Sequence, residues 1–101
     1  MKQKKYNFDK PFVGFDGKPI IEKGETVNIG ERLSFFLFSI STLNSQMMGQ
    51  EQKYQAYKLM RKLQKGGDVE LTEEEKTLVK QVAAETFSVG AYGQIVEILG
   101  E

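Results

Sequence analysis

Tyr54, Lys58, Arg61, Lys62 and Lys65 fall at intervals of three and four residues, or close to them. On an α-helix that spacing gathers them on one face. Basic side chains beside an aromatic ring can hold phosphates and stack on bases. Between Gln50 and Gly67 the sole acid is Glu51, so the stretch is locally cationic. The same pattern also describes a solvated helix face, with cations favoured toward the C-terminal end by the helix dipole. The whole-chain balance favours the solvated face. Fourteen Lys and Arg meet fourteen Asp and Glu, for a formal net charge of zero. A neutral chain lacks the global field that draws strongly basic domains onto nucleic acid or anionic membranes. A nucleic-acid contact through these five residues is therefore the alternative expectation.

The 101 residues include no Cys, no His and no Trp. That excludes thiol nucleophiles, disulfides, thiolate or imidazole metal sites and every His-based triad within this chain. The densest acidic group is Glu70, Glu73, Glu74 and Glu75. An acidic helix N-terminus explains it. Glu73 and Glu74 point about 100° apart on a helix, so they do not converge on one ion. Asp68 and Glu70 lack the spaced oxygens of a calcium loop. Gly14, Gly17, Gly24, Gly30, Gly66 and Gly67 match no phosphate-loop or dinucleotide pattern, and they read as turn residues. Ser39 and Ser41 sit on no G-x-S-x-G elbow and have no His to serve them. The expectation is a non-enzymatic protein without cofactor or metal.

Several elements are readable from caps and periodicity. One domain is expected over residues 1–101, with a strand-and-turn part over 1–29 and a helical part over 30–101. A compact chain of this length has a radius of gyration of roughly 13 Å. Tyr6 and Phe8 alternate with polar residues, as a short strand would. Asp16-Gly17 between apolar residues predicts a type I′ turn, and Lys23-Gly24 a second turn. Pro19 keeps the returning strand short or at an edge. Asn28 with Glu31 reads as a capping box opening a first helix. Leu33, Phe36, Leu37, Ile40 and Leu43 then follow its inner face, and Asn44-Ser45 breaks the pattern. A second helix runs from about Gln50 to Lys65, with Ala56, Leu59, Met60 and Leu63 inward, and Gly66-Gly67 stops it. Val69-Glu70-Leu71 reads as a short extended segment. Thr72 and Glu75 open a third helix whose inner face is Leu78, Val79, Val82 and Ala83. Ser88 caps a fourth, through Ala91, Tyr92, Ile95, Val96 and Leu99, which Gly100 ends. The fold class is α+β: a small N-terminal hairpin or meander on about four helices, mostly helical, around one core.

Phe35 and Phe38 do not fit the first helix's inner face. They fall about 140–160° from its centre. A helix apolar on two sides is either sandwiched in a core or part of an interface. One reading buries both rings against Tyr6, Phe8 and Phe15. The other leaves them exposed, where each Phe forgoes roughly 1.5–3 kcal/mol relative to burial. Pairing the patch across a two-fold axis removes that exposure. A homodimer with Phe35 and Phe38 at or beside the interface is the leading expectation.

The chain resembles a group of small phage- and prophage-associated proteins of unassigned function. The matching pieces are Phe15-Asp16-Gly17-Lys18, Gly30-Glu31-Arg32-Leu33, Val69-Glu70-Leu71-Thr72-Glu73-Glu74-Glu75 and Gln94-Ile95-Val96-Glu97-Ile98-Leu99. The resemblance implies a phage accessory or assembly protein and carries over no catalytic residue. The expected function is a non-enzymatic interaction or assembly module whose partner is a protein or a second copy. The basic start, Met1-Lys2-Gln3-Lys4-Lys5, is like a secretory n-region, but Asn7, Asp9 and Lys10 interrupt any apolar stretch after it. The most apolar run, Leu33 to Ile40, is too short to span a bilayer. A location in the cytoplasm, or in a particle assembled there, is expected, with no membrane partner.

Overall fold

The computed structural model describes residues 4–100. Met1, Lys2 and Gln3 of the basic start lie outside the described residues. The chain forms β1 (Lys5–Asn7), β2 (Ile21–Glu22), β3 (Glu25–Thr26), α1 (Ile29–Ser39), β4 (Thr42–Leu43) and β5 (Gln46–Met47). It continues through α2 (Gln50–Gln64), β6 (Asp68–Glu70), α3 (Glu73–Thr86) and α4 (Val89–Ile98). The class is mostly helical α+β, with small antiparallel strand pairs toward the N-terminus, as the periodicity predicts. The radius of gyration is 13.4 Å.

Residues 11–28 make the expected meander. Isolated bridges join Val13 to Pro19 and Pro11 to Asn28, and β2 pairs with β3. The turn chemistry is reversed from expectation. Lys23 and Gly24 both have positive φ, +52° and +81°, and form the two-residue I′ turn between β2 and β3. At Asp16-Gly17 only Gly17 has positive φ, so the turn there is not type I′. The loop is longer: Gly17 N–H donates to the Gly14 carbonyl, and Gly14 N–H to that of Lys18. Asp16 uses its carboxylate to accept from Lys18 N–H.

β1 does not belong to the meander. It pairs antiparallel with β6, Tyr6 opposite Val69, and both of those side chains are buried. The expected extended segment at Val69-Glu70-Leu71 thus supplies the partner of the first strand. Thr42-Leu43 and Gln46-Met47 form a further hairpin, closed by Asn44 and Ser45 at φ +53° and +64°. Leu43 is buried there, in β4, and not on the first helix as the spacing suggested.

The helix caps fall where the sequence places them, but Asn28 and Glu31 make only half of the expected capping box: Asn28 accepts from Glu31 N–H, and the Glu31 carboxylate does not return the bond. Ser88 accepts from Ala91 N–H. Thr72 and Glu75 make a reciprocal capping box. α2 ends before Gly66 and Gly67, both at positive φ. Gly30 allows a close approach: its N–H reaches the Phe8 carbonyl at 2.8 Å, and a Cβ would sit 3.2 Å from that oxygen. One core unites the parts. Leu33, Leu59, Val79, Val82, Ile95 and Leu99 are its largest fully buried side chains. Phe12 joins it from the meander and meets Phe87, which in turn meets Phe36 edge-on at 4.9 Å. Gln94 of α4 clamps the meander, accepting from Val13 N–H and donating to its carbonyl, each at 2.9 Å.

Candidate functional site: the groove beside α1 and the cationic face of α2

Phe35 and Phe38 are not core. They are 59% and 70% exposed, while Tyr6 and Phe8 are buried and Phe15 stands fully exposed at its turn. Burial against those three aromatics is therefore ruled out for this chain. The inner face of α1 is Ile29, Leu33, Ser34 and Leu37, with Phe36 and Ile40 packed at its edge. Phe35 stays anchored to that edge through an edge-to-face contact with Phe36 at 5.5 Å.

Glu31, Ser34, Phe35 and Phe38 share one side of α1 at helical spacing. They form one wall of an open groove of about 1240 Å³. Leu63, Gln64 and Lys65 at the end of α2 contribute to its lining, as do Gly66 and Gly67. Phe8 and Asp9 enter from the segment after β1, and Glu25 and Thr26 from β3. Asp9 is held in place by accepting from the Asn28 side-chain amide at 2.9 Å, and Asn28 in turn caps α1. Ser34 is buried, and its Oγ has no hydrogen-bond partner. The groove therefore combines two exposed aromatic rings with three carboxylates, Asp9, Glu25 and Glu31. Among the described residues of its lining, Lys65 is the single cation.

The cationic face of α2 is only partly as expected. Tyr54, Lys58, Arg61 and Lys65 are exposed. Lys62 is turned to structural work. Its ammonium donates to the Glu70 carbonyl at 3.1 Å and pairs with Glu75 at 2.8 Å, tying α2 to β6 and α3. Tyr57, which the sequence reading passed over, takes its place on this surface. The Tyr54 and Tyr57 rings lie near parallel, 14° apart with centroids at 6.4 Å. Lys58 Nζ sits 4.9 Å from the Tyr54 centroid. Arg61 donates to the Tyr57 hydroxyl at 3.0 Å and lies over its ring. The signal was present: Tyr57 is one turn after Tyr54 and one turn before Arg61, the positions that meet on a helix.

No cluster of three or more His, Cys, Asp or Glu side chains placed to hold a metal occurs among the described residues. No helix among them is long and apolar enough to cross a membrane. No family model, curated protein or solved structure matches the chain.

Proposed function

We propose that this protein is a non-enzymatic interaction module that self-associates through the groove beside α1. The observation that carries the reading is the exposure of Phe35 and Phe38, side by side on the wall of that groove. Large aromatics on an open surface are the residues a protein contact covers with most gain. The resemblance of Phe15-Asp16-Gly17-Lys18 and the Val69–Glu75 segment to phage-associated proteins supports an assembly role in that setting. Light scattering after gel filtration tests the reading. The wild type is expected to run above monomer mass, and Phe35→Ser with Phe38→Ser to give a folded monomer by circular dichroism. A wild type that stays monomeric at high micromolar concentration overturns it.

A second reading assigns the α2 face to nucleic acid. The near-parallel Tyr54 and Tyr57 rings, each with a cation beside it, favour it. Bases stack on such rings, and phosphates meet such cations. Gel shifts with single- and double-stranded DNA and RNA at low salt test this reading. Binding that fades as salt rises supports it, and no shift at low salt removes it.

A further inference from the structure

We infer that the occupant of the groove is the α2 face of a second copy, in a head-to-tail contact. The inference rests on the reading that Phe35 and Phe38 mark a protein contact, and it names the other half of that contact.

The carboxylates carry the argument. Asp9, Glu25 and Glu31 line the same groove as the exposed rings, and Lys65 alone opposes them in the described lining. A two-fold pairing of this patch with itself sets acids against acids. Like charges juxtaposed at an interface disfavour it strongly. The surface that fits must bring cations and flat apolar area together. This chain carries such a surface on α2, with Tyr54, Tyr57, Lys58 and Arg61 exposed. Its parts are already arranged. The two rings are near parallel, and the Arg61 guanidinium is fixed on Tyr57 by a hydrogen bond. Side chains ordered before contact lose less entropy on binding. Tyr and Arg are also the types that most often dominate binding energy. Two aromatics and two cations thus face two aromatics and three carboxylates.

Made head to tail, with the groove and the α2 face of each copy engaging different neighbours, the contact propagates into a ring or an open filament; the same surfaces exchanged reciprocally by two copies across a two-fold axis close as a dimer. Because charges rim it, association weakens as salt screens them.

Sedimentation or light scattering over a concentration series tests this on five samples. They are the wild type, Glu25→Lys with Glu31→Lys, Lys58→Glu with Arg61→Glu, the chain carrying all four changes, and Phe35→Ser with Phe38→Ser. All the changed positions are exposed, and circular dichroism checks that each variant folds. The expected result is wild-type assembly beyond dimer. Each charge-reversed pair weakens it by roughly tenfold or more, and the four-change chain recovers it. Mixing the two charge-reversed pairs also restores assembly. A wild type that is monomeric throughout overturns both the inference and the reading beneath it. Assembly lost in the Phe variant but untouched by reversal of Lys58 and Arg61 leaves the reading standing and overturns this inference. So does reversal of Lys58 and Arg61 that abolishes nucleic-acid binding without changing molar mass.

Discussion

Gln94 and Val13 are joined by a two-way hydrogen bond, with the side-chain amide of one pairing with both backbone groups of the other at 2.9 Å. The Gln94 amide behaves toward Val13 as a strand residue would. It also donates to the Gly90 carbonyl, which holds it in one orientation. The amide thereby gives the meander a neighbour that its own short strands do not provide. Gln94→Ala is expected to cost about 1 kcal/mol, since each net hydrogen bond contributes roughly 0.5–1.5 kcal/mol. The value is at the low end because water can reach Val13. Thermal unfolding will show this as a fall of about 4–8 °C. An unchanged midpoint would remove the clamp from the account.

Glu75 serves two partners, and Lys62 depends on it. Glu75 accepts from Thr72 N–H in the capping box and from Lys62. Glu75→Ala is therefore expected to cost more than Lys62→Ala, about 1–2 kcal/mol with the cap included. Lys62 is 42% exposed, so solvent screens its pair with Glu75. A double-mutant cycle is expected to give a coupling below about 1 kcal/mol. A coupling of several kcal/mol in denaturant titrations would contradict the geometry.

Ser45 adopts φ +64°, a conformation that side chains with a Cβ enter at a cost. Ser45→Gly turns the connection into Asn-Gly, the favoured I′ pair. A gain of about 0.5–1 kcal/mol is expected in urea unfolding, with an unchanged m-value. Loss of stability would mean that Ser45 makes a contact beyond the turn.

Two phenylalanines on opposite sides of the burial divide give a direct contrast. Phe12 is 3% exposed and touches Phe87, whereas Phe38 is 70% exposed. Phe12→Ala is expected to cost about 3–5 kcal/mol. Phe38→Ala is expected to change stability by less than about 0.5 kcal/mol, measured where the chain is dilute enough to be monomeric. Comparable losses for both would place Phe38 in the core.

Elements defined by local chemistry are legible in the sequence. Thr72 with Glu75, Ser88 with the following apolar positions, and Gly66-Gly67 each mark a helix end through interactions that span only a few residues. The Phe35 and Phe38 anomaly was legible for the same reason, since it depends on one helix's periodicity alone. The groove was not. Asp9, Glu25 and Lys65 reach it from separate elements, and no spacing in the chain connects them. Lys62 was misassigned because its partner, Glu75, lies across the β6 connection on another helix. The pairing of β1 with β6 was hidden because three-residue strands carry too little alternation to name a partner. The turn at Asp16-Gly17 shows the limit of dipeptide rules. The loop there is closed by the Gly14 contacts, and its length, not its central pair, selects the turn.

The pairing of Tyr6 with Val69 also bears on how the chain is made. A ribosome produces Lys5–Asn7 first, and the strand they complete emerges only after α1 and α2. At roughly 5–20 residues per second, the first strand waits several seconds for its partner. During that interval the buried faces of α1 and α2 have each other, but Tyr6 and Phe8 have no finished core to enter. The helical hairpin is thus the natural early unit of synthesis, and the residues of β1 are stitched on after it although they are translated before it.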